Sequence, residues 1–158
     1  MSKAVPLIAA TVVSLFLTFA SHASAGDASQ TVTSHGLTVY FGVVPAAIAQ
    51  GVARTHGDAE MHGPDALAPS SYHLLVAIFN SATGDRISDA TVAAVVTRAG
   101  GGSQTKPLEP MKIADTVTYG NFFDLPPAGL YHVTLNVTKK GDTRPTQIDF
   151  AYDQHFHQ

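Results

Sequence analysis

The sequence contains no cysteine and only a small share of charged residues. Without thiols the chain cannot form disulfides, use a thiolate nucleophile, or hold an iron–sulfur cluster or a cysteine-based zinc site. Charged residues make up 13% of the chain, and nine Lys and Arg stand against twelve Asp and Glu, for a net charge of −3. This composition offers no basic patch able to compete for phosphates, so nucleic-acid binding is excluded.

The motifs that position catalytic groups in common enzyme classes are also missing. The chain has no Gly-x-Ser-x-Gly turn, no glycine-rich phosphate loop and no His-Glu-x-x-His zinc helix. Glutamate occurs only at Glu60 and Glu109, and no pair of carboxylates stands out that could perform acid–base chemistry. The sequence therefore predicts a protein that is not an enzyme.

What is present is enough apolar sequence to build a core. The 158 residues are 45% hydrophobic, with a mean hydropathy of +0.12, which is too apolar for an intrinsically disordered chain. The first 25 residues have the pattern of a cleaved signal peptide, in which Lys3 precedes an apolar run over residues 5–20 and Ala23-Ser24-Ala25 provides the cleavage site. We expect residues 26–158 to form one exported, periplasmic domain that does not span a membrane.

The remainder of the chain alternates short apolar segments with turn residues. About seven segments have strand character, and they cover residues 37–44, 73–80, 90–97, 108–113, 117–123, 131–138 and 146–152. This spacing predicts an all-β fold, an immunoglobulin-like antiparallel β-sandwich. Residues 26–36 are expected to be a loose lead, residues 46–54 one or two helical turns, and residues 55–71 a long loop. Gly129-Leu130-Tyr131 fits a tyrosine corner, in which a phenol hydroxyl bonds back to the nearby backbone.

Histidine and methionine supply the residues best suited to chemistry. Met61 and His62 lie in the predicted long loop, His73 begins a buried strand, and Met111 follows a proline. Imidazole nitrogen and thioether sulfur together suit copper, above all Cu(I), better than magnesium or calcium. We predict these four residues as metal ligands. The alternatives are that Met61 and His62 are solvated, that His73 only terminates its strand, and that Met111 fills the core.

Three motifs occur in a distinctive order: Glu109-Pro110-Met111, Thr118-Tyr119-Gly120 and Gly129-Leu130-Tyr131. This order resembles that of bacterial periplasmic iron-transport proteins that also bind copper on an immunoglobulin-like sandwich, over roughly residues 73–152. In that family the segments read Met-Pro-Met, His-Tyr-Gly and Gly-x-Tyr. The resemblance implies the sandwich fold and a ligand role for Met111. Glu109 stands at the first Met and Thr118 at a ligand His, so another residue must supply the missing imidazole.

Two hypotheses about function follow. The first is a periplasmic metal-binding protein for copper, with iron as a second option, acting as a carrier or accessory in metal uptake or tolerance. Its partners would be a membrane transporter or another exported protein. The second is a non-catalytic exported β-sandwich that binds another protein and has no metal site. They differ in whether Met61, His62, His73 and Met111 converge in the folded chain.

Overall fold

The computed structural model of the protein describes residues 30–50, 70–113, 115–126 and 128–154. Most of these residues lie in eight β-strands, and residues 46–50 are helical. The strands are β1 (Thr31–Ser34), β2 (Leu37–Pro45), β3 (Ser71–Asn80), β4 (Thr91–Arg98), β5 (Ser103–Ile113), β6 (Thr116–Asp124), β7 (Gly129–Thr138) and β8 (Thr146–Gln154). Within the described ranges, no helix is long and apolar enough to cross a membrane.

The strands form one antiparallel sheet in the order β1-β2-β3-β6-β5-β4-β7-β8. The sheet folds over into two leaves. The first leaf holds β1, β2, β3 and β6, the second holds β4, β7 and β8, and β5 belongs to both. The predicted all-β sandwich is therefore confirmed, with eight strands rather than seven.

The core lies between the inner faces of the two leaves. Strand β7 shows why, because its inward residues Tyr131, Val133, Leu135 and Val137 are buried while the residues between them are exposed or half-buried. Side chains alternate faces along a strand, so this period of two aims one row at the core. The ring of Phe41 on β2, in the first leaf, stacks with that of Phe150 on β8, in the second leaf, with centroids 4.1 Å apart.

Two boundaries differ from the sequence-based expectation. Residues 31–34, expected to be loose, form β1 because they pair with residues 37–40 of β2 through a tight turn at His35 and Gly36, both with positive φ. Ser71, expected to end the long loop, begins β3 and pairs with Asp124. The rest of that loop and the end of the predicted helical turns, residues 51–69, lie outside the described residues.

Strand β5 changes partner along its length. Residues 103–108 pair with β4, and residues 109–113 pair with β6. Pro107 and Pro110 flank the change, and neither has a backbone N–H to donate to a ladder. Prolines in sheets are confined to edges, strand starts and irregularities, which is consistent with this arrangement.

The predicted tyrosine corner is confirmed at Tyr131. Its phenol hydroxyl donates a 2.8 Å hydrogen bond to the backbone oxygen of Pro126. Burial raises the pKa of Tyr131 above its usual value of 10, against the opposing effect of the Arg98 guanidinium. The phenol therefore stays protonated and keeps its donor.

The inward and outward rows of β7 predict effects of very different size for one substitution made at neighbouring positions. Val133→Asn should lower the free energy of unfolding by about 3 kcal/mol or more, because it removes a buried side chain and buries an amide without partners. Thr134→Asn should change it by less than about 1 kcal/mol, because Thr134 faces solvent and bonds Asp149. Urea unfolding of the two variants measures both values, and equal losses would contradict the assigned faces.

Candidate metal centre

His73 lies on the outer face of the first leaf. The next residue, Leu74, is buried in the core, so alternation turns His73 to the opposite side. His73 is nevertheless only 5% exposed, because its ring stacks on that of its cross-strand partner Phe122, with centroids 4.4 Å apart. Phe122 in turn packs with Ala46 and Ala49 of the helical residues that follow β2. The sandwich thus has a small second cluster outside its main core, and His73 adjoins it.

Met111 reaches the same outer face from β5. It pairs with Thr118 of β6, and two positions away Glu109 pairs with Gly120. On the other side of β6, His73 pairs with Phe122. His73, Gly120 and Met111 therefore form a diagonal across three neighbouring strands. Met111 is half-buried, in contrast to the buried imidazole of His73.

Gly120 is the point at which the two side chains meet. A Cβ atom at this position would lie 2.8 Å from Nε2 of His73, 2.8 Å from Cε of Met111 and 3.0 Å from the backbone oxygen of Leu74. Two atoms that are each this close to one point lie no more than twice that distance apart. The imidazole nitrogen and the terminal methyl group of the methionine therefore both pack onto Gly120, in the space that a side chain at residue 120 would occupy. We call this place, formed by His73, Met111 and Gly120, the Gly120 cradle.

The structure brings together two of the four predicted ligands, His73 and Met111. The other two, Met61 and His62, lie outside the described residues, and their part in a site stays a prediction. Sequence reasoning named Gly120 as part of a motif but gave it no role at the site, although a lone glycine inside a strand is a known sign of close approach by another group. Thr118, at the family's histidine position, lies on the same face beside Met111.

Another histidine has a different setting. On the outer face of the second leaf, His132 lies 3.3 Å from Asp149 (Nε2 to Oδ1), and both side chains are more than half exposed. His132 therefore faces solvent. In the part of the chain that the structure describes, no three residues of the types His, Cys, Asp and Glu group closely enough to hold a metal. A site at the Gly120 cradle would therefore include the methionine thioether beside ligands of these types.

Comparison with solved structures finds the same fold in several bacterial proteins. A DUF4426 family protein from Pseudomonas aeruginosa matches with a TM-score of 0.57 and 17% identity, over 82% of this chain and 96% of that one. A copper-bound variant of FetP from uropathogenic Escherichia coli matches with a TM-score of 0.60 and 16% identity, over 80% and 95%. A copper-bound variant of a Campylobacter jejuni protein matches with a TM-score of 0.53 and 12% identity, over 79% and 94%.

These likenesses confirm the resemblance noted from the sequence at the level of fold. No protein-family model and no curated protein sequence matches the chain.

The Gly120 cradle makes a prediction that needs no metal. Gly120→Ala should lower the free energy of unfolding by about 1–3 kcal/mol, because the new methyl group overlaps His73, Met111 and a backbone oxygen. Met111→Ala in the same chain should recover part of this loss, since it removes one of the overlapping groups. A double-mutant cycle by urea unfolding should give a coupling of at least about 0.5 kcal/mol. Strict additivity would show that Met111 does not contact residue 120.

Proposed function

We propose that this protein is a periplasmic metal-binding protein that holds a copper ion at the Gly120 cradle. It acts as a carrier or accessory in metal uptake or tolerance. The observation that carries the proposal is the convergence of His73 Nε2 and Met111 Cε over Gly120. These residues are 38 positions apart in the sequence, and nothing in that spacing requires their side chains to meet.

The chemistry of the two donors fits copper. A thioether is a soft ligand that selects Cu(I), and neutral imidazole binds copper readily. The imidazole is held by stacking on Phe122, so its direction is set by packing before an ion arrives. Copper would be the cargo of this protein, and the residues of the cradle would bind and release it.

The comparisons support this proposal without deciding it. Two of the solved structures that share the fold are copper-bound. The signal-peptide pattern of residues 1–25 favours export of the mature chain from the cytoplasm, which is where an exported copper carrier would operate. A membrane transporter or another exported protein is the partner that such a carrier needs.

One observation favours the alternative of a protein-binding module. Tyr40 and Ile113 lie on the outer face of the first leaf, and Ile48 lies on the helical residues after β2; each is about half exposed or more. Large apolar side chains at a surface can mark a contact with another protein. In this alternative His73 and Met111 only pack against each other and hold no ion.

Copper titration separates the two functions. Cu(I) competition against a chelator should show one tight site in the wild type. Met111→Leu keeps the volume of residue 111 and removes its sulfur, and His73→Ala removes the imidazole; each should weaken binding by at least about tenfold. His132→Ala is the matched control, because it removes an exposed imidazole from the other leaf and should leave the affinity unchanged. Thermal melts confirm that each variant is folded.

The same titration tests the two predicted ligands that lie outside the described residues. Met61→Leu and His62→Ala should each weaken Cu(I) binding if the long segment contributes to the site. If the wild type binds no copper, or if Met111→Leu and His73→Ala bind as the wild type does, the metal-binding proposal fails and the protein-binding module replaces it.

Export is tested separately. Mass spectrometry of the protein isolated from its native cells should give a chain that begins at Gly26, because Ala23-Ser24-Ala25 provides the small residues that signal peptidase requires. Osmotic shock should release this processed chain with the periplasmic fraction. An intact Met1 on protein from the soluble fraction would contradict the assignment of residues 1–25.

A further inference from the structure

Glu109 lies beside the Gly120 cradle on the outer face of the first leaf. The register of β5 and β6 pairs Glu109 directly with Gly120, while Met111 pairs with Thr118. Glu109 and Met111 are two residues apart on one strand, so both project from the same face. The Glu109 side chain therefore leaves the sheet directly across from Gly120, the residue at which His73 and Met111 converge.

The position of Glu109 is set by the change of partner in β5. Leu108 is the last residue paired with β4, and Glu109 is the first residue paired with β6. Ladders on both sides of this step hold the backbone in place, and side chains carried on such a backbone are placed more reproducibly than those on loops. Glu109 itself is exposed, Met111 is half-buried and His73 is buried. The three side chains therefore lie at increasing depth below the surface, in the order Glu109, Met111, His73.

No other role for Glu109 is evident in the described part of the chain, where it forms no ion pair. The other carboxylate that β6 carries on this face, Asp124, is four residues from Gly120. At about 3.3 Å per residue that separation places Asp124 beyond the reach of a shared ion. Glu109 is the acidic residue that the strand pairing brings to the cradle.

We propose that Glu109 is a third ligand at the Gly120 cradle and that it allows the site to hold Cu(II) as well as Cu(I). This inference rests on the proposed copper-binding function. A carboxylate is a hard donor that suits Cu(II), while a thioether is a soft donor that suits Cu(I), and imidazole serves both. A cradle with all three donors binds copper in either oxidation state, and each state depends on a different residue of β5.

The test measures affinity for the two oxidation states separately. Wild type and variants are titrated with Cu(II) against a chelator in air and with Cu(I) against a chelator without oxygen. Glu109→Gln, which keeps the size of the side chain, should weaken Cu(II) binding at least about tenfold and Cu(I) binding less than about threefold. Met111→Leu should do the reverse. Asp149→Asn, an exposed acid on the other leaf, is the control and should change neither affinity.

The electron paramagnetic resonance spectrum of bound Cu(II) gives a second readout. It should change in Glu109→Gln and stay the same in Asp149→Asn, because only the first variant alters the set of donor atoms. If the wild type binds Cu(I) alone, or if Glu109→Gln binds both ions as the wild type does, Glu109 is not a ligand although the proposed function stands. Equal losses for both ions would also overturn the selective role. A wild type that binds neither ion would overturn the proposed function itself.

Discussion

Strand β5 hydrogen-bonds to β4 through its first half and to β6 through its second half, and the other features of the molecule depend on this change of partner. It turns one eight-stranded sheet back on itself, so that inner faces meet and bury a common core. The pairing of β5 with β6 covers residues 116–120 of β6, which puts Met111 directly beside that strand. Residues 121–124 of β6 have no ladder partner on the side that faces β5.

Side chains of β5 replace the missing ladder along that stretch. The Lys106 ammonium donates to the backbone oxygen of Phe122, and the Gln104 amide makes two hydrogen bonds with the backbone of Asp124. These bonds satisfy backbone groups that would otherwise be costly to leave unpaired where the leaves separate. They also hold the part of β6 that carries Phe122, against which His73 stacks. The closure of the sandwich and the placement of the imidazole therefore share the same contacts.

The first leaf uses its two faces for different purposes. Its inner face contributes to the main core, while its outer face carries the stacked His73 and the Gly120 cradle. Glycine in the middle of a strand costs about 0.5–1 kcal/mol relative to alanine. Here the Cβ of an alanine would lie 2.8–3.0 Å from three neighbouring atoms, so we expect the chain to be more stable with glycine, the residue of poorer strand propensity. The cradle is a packing requirement of the outer face, and it is also what allows two donors to approach each other.

Local patterns in the sequence were sufficient to predict seven of the eight strands. The alternation in β7 and β8, the tyrosine corner at Tyr131 and the bend near Pro107 depend on residues close together in the chain, so their signals can be read without knowing the topology. Strand β1 was missed because its four residues are small and polar. It forms through pairing with β2 rather than through an apolar row of its own.

The sequence by itself determined the class of fold and the kinds of donor available, because strand period and side-chain chemistry are local properties. It singled out His73 and Met111 from their chemical types, with the resemblance adding weight to Met111. Only the tertiary structure decided that these two meet, that Gly120 gives them room and that Glu109 lies alongside. The physical reason is strand register, since a shift of one residue between β5 and β6 would move Met111 to the other face of the sheet. Such a register is set by pairing between distant strands, and no short stretch of sequence contains it.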